Sequence, residues 1–117
     1  MIIRNALITS ASIALENGIL CCSLGFDTGS FHQCITIVLD TATKYDRREP
    51  TAGGLAYIQA VMQTVGVDRF EHLKGKYVRL RYETGKWNEE IHSFGHILDD
   101  KWLVASELFC RYAEMQR

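Results

Sequence analysis

Asn17-Gly18 limits the folding choices of this chain more than any other pair of residues. A two-residue hairpin turn needs positive φ at both positions, and Asn-Gly adopts it most readily. The turn sets a register, with Leu15 opposite Leu20, Ile13 opposite Cys22 and Ala11 opposite Leu24. A second turn is read at Thr28-Gly29, which pairs Phe26 with Phe31, Cys22 with Ile35 and Leu20 with Ile37. Strand side chains alternate between faces. Together the turns collect Leu7, Ile13, Leu15, Leu20, Cys22, Leu24, Phe26, Phe31, Ile35, Ile37 and Leu39 on one face. Ser10, Ser12, Ser23, His32 and Thr36 fall on the other. A slip of one residue would mix the faces, so both turns specify one three-stranded antiparallel meander with one buried side. Gln33 is the polar exception on the apolar face and is placed near the rim.

Residues 40–51 read as a polar, exposed loop that carries the only proline and the pair Arg47-Arg48. That pair is either solvated charge or a phosphate clamp. A helix is predicted over Ala52 to Val65, capped by Thr51 and ended by Gly66. Leu55, Ile58, Met62 and Val65 recur at helical spacing, with Val61 beside them, as the stripe that covers the sheet. Gly53-Gly54 marks either a loose helix start or close approach of another backbone or a ligand. Asp68 to Gly75 reads as one helical turn, capped by Asp68 and broken by Gly75, with Phe70 and Leu73 plugging the core. A fourth strand, Lys76 to Glu83, puts Val78, Leu80 and Tyr82 on one face and Tyr77, Arg79 and Arg81 on the other. After a turn at Thr84–Asn88, a fifth strand runs from Glu90 to Leu98. Leu108, Phe109, Tyr112 and Met115 mark a C-terminal helix from about Val104. The expected architecture is α+β: an antiparallel β-meander of three N-terminal strands plus a C-terminal-half hairpin, packed against one central and one C-terminal helix.

The chain has 117 residues, 47% hydrophobic and 23% charged, which fits a single globular domain over residues 1–117. Thirteen Lys+Arg against 14 Asp+Glu leave a net charge of −1. That balance excludes a general nucleic-acid binder, which needs a basic footprint. It permits a small anionic ligand held by two or three local cations. The N-terminus lacks a basic stretch before a long apolar core, so no secretory signal is read, and no window is long enough to span a membrane. Cys21, Cys22, Cys34 and Cys110 are therefore expected as buried or half-buried free thiols.

No Gly-x-Ser-x-Gly elbow, Walker loop or His-Glu-x-x-His motif is present. His92 and His96 have helical metal-pair spacing, but on a strand four residues span about 13 Å, so they cannot share one metal. No metal, cofactor or catalytic residue is assigned. Binding has better support. Tyr77, Arg79 and Arg81 line one strand face, His92, Phe94 and His96 line a face of its partner, and Lys86 and Trp87 sit at the tip. Aromatics stack on bases and arginine forks onto phosphate. The competing reading is core packing, because one face of this hairpin must meet the helices.

Three stretches carry a family resemblance: Gly54-Leu55-Ala56-Tyr57-Ile58-Gln59-Ala60-Val61-Met62-Gln63-Thr64-Val65-Gly66-Val67, Phe70-Glu71-His72-Leu73-Lys74-Gly75-Lys76-Tyr77-Val78-Arg79, and Phe94-Gly95-His96-Ile97-Leu98-Asp99-Asp100-Lys101-Trp102. On them the sequence resembles the phage anti-Thoeris sponge proteins of the first type, a resemblance that covers about half the chain, from Gly54 onward, with the preceding meander in outline. The resemblance implies an oligomeric, non-enzymatic binder in the cytoplasm of the infected bacterial host. Such a protein sequesters a cyclic ADP-ribose isomer, and in some members cyclic oligonucleotides, without degrading it. His96 stands where the resemblance implies a ligand-contacting asparagine, and Phe31-His32-Gln33-Cys34 stands where a glycine-rich third strand is expected. The candidate ligand residues are Trp87, Phe94, His96, Arg79, Arg111 and Tyr57. A 117-residue domain encloses a ligand best at a subunit interface, so a homo-oligomer, a dimer or higher, is expected. Two other functions compete: a protein-binding inhibitor of a host antiphage defence complex, similar in role to an anti-CRISPR, and an enzyme without a recognised motif.

Overall fold

The computed structural model describes residues 1–115; the side chain of Met115, expected on the apolar stripe of the last helix, lies outside the described residues. The Asn17-Gly18 turn forms as its sequence dictates, with φ of 52° and 80°. It joins β1 (Ile2–Glu16) to β2 (Ile19–Asp27) in the expected register, Leu15 opposite Leu20 and Ile13 opposite Cys22. β3 (His32–Val38) pairs antiparallel with β2, two residues away from the expected register: Phe26 faces Gln33 and Cys22 faces Ile37. The connection is longer than two residues. Thr28 N–H donates to Phe31 O at 3.1 Å, and Gly29 N–H donates to Asp27 Oδ1 at 2.8 Å. A shift of two preserves the alternation, so the face assignment survives while Phe31 leaves the ladder. Ser23 and Thr36 share a 3.1 Å hydroxyl contact on the polar face.

β1 carries a bulge. Ile8 pairs with Phe26 and Ser10 with Gly25, leaving Thr9 as the extra residue. An inserted residue reverses the alternation. Ala6 and Ile8 therefore reach the core in place of the expected Leu7. Gly25 makes room here, since a Cβ on it would stand 2.5 Å from Ser10 Oγ.

Residues 40–50, expected as a loop, form a small hairpin of β4 (Asp40–Ala42) and β5 (Arg48–Pro50). Its anchor is Asp40: Oδ1 accepts from Arg48 Nε at 2.9 Å, and Oδ2 accepts from Leu20 N–H at 3.1 Å. Arg48 is thus committed to a structural ion pair, at 2.8 Å. The guanidinium and the amide hold the Asp40 carboxyl below the usual carboxylate range.

α1 (Ala52–Val65) has the expected bounds. Thr51 Oγ1 accepts from Gly54 N–H at 2.9 Å, and Gly66 closes the helix at φ 91°. Its buried face is Gly53, Gly54, Tyr57, Val61, Thr64 and Val65, so the expected stripe is rotated and Leu55 is 75% exposed. Gly54 explains the rotation: a Cβ there would lie 2.3 Å from Leu39 O, so the chain leaving β3 passes directly over the helix start. Phe70–His72 form a 3-10 turn that buries Leu73, although Arg69, with no side-chain capping bond, holds the cap position expected for Asp68.

β6 (Tyr77–Tyr82) pairs antiparallel with the first half of β1 and with β7 (Ser93–His96), a shorter strand than expected. β8 (Trp102–Leu103) adds to β7, and α2 (Ala105–Met115) packs on α1. The six-stranded sheet runs β3-β2-β1-β6-β7-β8. It curls strongly. Phe26 on β2 and Phe94 on β7 lie three strands apart, about 14 Å in a flat sheet. Their ring centroids are 5.9 Å apart. Gln33 bridges the open end of the curl, donating to Glu89 O at 2.7 Å and accepting from Tyr82 Oη. The core is the inner face of this trough, filled by Tyr57 and Val61 of α1. Cys21 and Cys22 are buried free thiols, whereas Cys34 and Cys110 are exposed. Among the described residues no helix is long and apolar enough to cross a membrane.

Alanine ordinarily favours a helix over glycine by about 1 kcal/mol. Gly54→Ala should invert that sign and cost about 2 kcal/mol in a urea melt, because the added methyl meets rigid backbone. Asp40 gives a pH signature. Its folded-state pKa is lowered, so its contribution is present above the unfolded value of about 4 and is lost as pH falls through the folded value. The stability gap between the native protein and Asp40→Asn, measured by denaturant melts, should be widest near neutrality and shrink below about pH 4.

Candidate functional site

The alternation of β6 turns Val78, Leu80 and Tyr82 into the core and leaves Tyr77, Arg79 and Arg81 on the outer face of the sheet. Across the ladders Gly95 faces Arg79, Ser93 faces Arg81 and Trp102 faces Gly95. Gly95 is the seat of Trp102: a Cβ on it would stand 2.6 Å from the indole. The Arg81 guanidinium lies 4.1 Å from the Trp102 ring centroid and that of Arg79 lies 4.8 Å away. Contacts of this kind contribute about 0.5–2 kcal/mol each.

Hydrogen bonds fix the arrangement. Arg79 Nε donates to His96 O and its Nη2 to Asp99 O, both at 2.8 Å. Arg81 Nε donates to Ser93 Oγ at 2.8 Å. Trp102 Nε1 donates to Asp100 Oδ1 at 3.1 Å. Among the described residues no carboxylate pairs with Arg79 or Arg81. Carbonyls, a hydroxyl and a π face orient these guanidiniums without cancelling their charge. Their Cα atoms, two residues apart on a strand, are about 7 Å from each other, and two like charges at a separation of that order repel by roughly 0.6–2.4 kcal/mol between water and a protein-surface dielectric. An anion placed between them removes that repulsion and gains charge-assisted hydrogen bonds. Tyr77, 59% exposed, continues the same face.

The structure separates the candidate residues. Arg79 belongs to this outer face. Phe94 is on the inner face, 2% exposed against Phe26. Uncovering a phenyl ring costs about 3 kcal/mol, some two orders of magnitude in affinity, so the outer aromatics are the cheaper platform. Tyr57 is 1% exposed with its ring 5.9 Å from that of Phe109. Burial raises its hydroxyl pKa far above that of a free tyrosine. His96 also faces inward, next to Gly66. Its Nδ1 accepts from Leu98 N–H at 3.1 Å and from Asp99 N–H at 2.9 Å, which leaves the ring proton on Nε2. The ring caps the very turn whose carbonyls hold Arg79. Trp87, 88% exposed, sits in the loop between β6 and β7, and Arg111 is exposed on α2, in the helical layer. Neither joins the outer face.

Arg81 and Trp102 complete the cluster. Arg81 was readable from the strand alternation. Trp102 had one signal, Gly95 inside a strand, which marks close approach of another group. A shallow depression of about 780 Å³ opens elsewhere, beside the C-terminal end of α1, but Asp68 and Glu71 there offset Lys74 and Lys76. Among the described residues no three His, Cys, Asp or Glu side chains are grouped to hold a metal ion. No family model matches the chain, no curated protein is similar to it, and no solved structure matches it.

Proposed function

We propose that the protein is a non-enzymatic binder that sequesters a small cyclic nucleotide signal, a cyclic ADP-ribose isomer or a cyclic oligonucleotide, in the cytoplasm of an infected bacterial host. The observation that carries this reading is the uncancelled Arg79–Arg81 pair ordered on Trp102. Two guanidiniums carried two residues apart on one strand face suit a pyrophosphate or a phosphodiester, whose charged oxygens can accept from both. Arg79 has two of its nitrogens engaged and Arg81 one, so donors remain for the ligand. Tyr77 supplies an exposed ring for a base on the same face. Trp87 and Leu98, 88% and 82% exposed, favour the one competing reading, an inhibitor that docks on a protein of a host defence complex.

Calorimetry against cyclic ADP-ribose isomers and cyclic di- and trinucleotides tests the proposal. The expected outcome is binding below about 1 µM, with Arg81→Ala or Trp102→Ala weakening it roughly 10- to 100-fold. Trp87→Ala should leave the affinity unchanged. Heat release should return the ligand intact. Failure of every nucleotide to bind overturns the reading, and recovery of a converted product replaces it with an enzyme.

A further inference from the structure

β1 pairs with β2 along its whole second half, through Glu16. Its other side is paired with β6 only from Ile2 to Leu7, and the last bonds there join Ile8 to Gly75 and Lys76. Residues Ser10–Glu16 therefore carry a ladder on one side alone. Native sheets usually blunt such an edge with lysine, proline or a covering segment. This one, Ser10-Ala11-Ser12-Ile13-Ala14-Leu15-Glu16, has no lysine, arginine or proline. The two end strands of the six-stranded sheet are protected. β8 is two residues long, and β3 has the Glu89–Ile91 segment beside it, tied by Gln33. The free edge is also apolar on its core-side face, where Ile13 and Leu15 remain 44% and 72% exposed.

We infer that Ser10–Glu16 is a homodimer interface, at which a second copy of this chain adds its own β1 edge antiparallel and joins two six-stranded sheets into one. The segment is its own complement. Bonds at Ile8 block the ladder on one end and the turn at Asn17-Gly18 ends it on the other. The two-fold axis then falls on the midpoint, Ile13. That register sets Ile13 against Ile13 of the partner subunit, Ala11 against the partner's Leu15, and Ser10 against the partner's Glu16. Both pairs keep their parity, so the exposed apolar residues of the two copies form one strip on the core side and the serines stay on the outer face. The two Glu16 carboxylates lie at opposite ends of the interface, which avoids like-charge contact. The inference is independent of any nucleotide.

Sedimentation over about 1–300 µM should show a dimer of twice 13.3 kDa that dissociates on dilution. Ile13→Lys sets two ammonium groups face to face on the axis and should raise the dissociation constant by on the order of 100-fold. Circular dichroism should be unchanged, because Ile13 is an exposed residue of the monomer. Ile13→Cys, with the exposed Cys34 and Cys110 replaced by serine, should give a disulfide-linked dimer on mild oxidation, because facing Cβ atoms on the axis lie within bridging range. A monomer at every concentration overturns the inference, as does a dimer indifferent to Ile13→Lys or an Ile13→Cys variant that does not cross-link. A monomer that instead takes up an added extended peptide at this edge also overturns it.

Discussion

One inserted residue, Thr9, organises the rest of the molecule. Before it, even-numbered side chains of β1 point inward, and Ala6 and Ile8 build the core with β6. After it, the odd-numbered ones share a face with Cys22 and Leu24. The bulge sharpens the bend of the strand, so β1 leaves β6 and continues as one edge of a three-stranded sheet with β2 and β3. The radius of gyration is 14.7 Å, with extents of 45 × 31 × 27 Å. A compact chain of this length has about 13.4 Å. The curl of the sheet, the outward row of Tyr77, Arg79 and Arg81, and the free edge beyond Ile8 all depend on this change of phase.

Local chemistry was legible where a few adjacent residues decide the outcome. Asn17-Gly18 fixed its hairpin to the residue, and Thr51 and Gly66 marked both ends of α1. Where the outcome depends on distant contacts, the sequence is quieter. Thr28-Gly29 announces a turn but not its length, because Asp27 and Thr28 side chains close a wider loop. Leu55 looks like core and Tyr57 like a ligand residue, yet the backbone of Leu39 over Gly54 decides which helix face is turned inward. β8 is too short for any alternation to show. The parity of β6 announced Arg79 and Arg81 as neighbours; Trp102 joins them only through a ladder that no local pattern predicts.

The site also shows why net charge is a poor guide to local charge. A chain with formal charge −1 keeps two arginines side by side without a counter-ion among the described residues, while Asp40 and Arg48 neutralise each other in the β4–β5 hairpin. The difference lies in what each guanidinium meets. Asp40 offers a full charge and closes a hairpin. His96 O, Asp99 O, Ser93 Oγ and the indole offer orientation and leave the field intact.

Gln33 closes the trough with side-chain hydrogen bonds. A barrel closed by backbone pairing has a diameter fixed by strand number and shear, which change only in whole steps. An amide bridging Tyr82 and Glu89 imposes no such step. The bore of this sheet is instead continuous, set by how closely the Phe26 and Phe94 rings meet, so it follows side-chain volume, and a substitution at either ring can widen or narrow it without changing a single strand pairing.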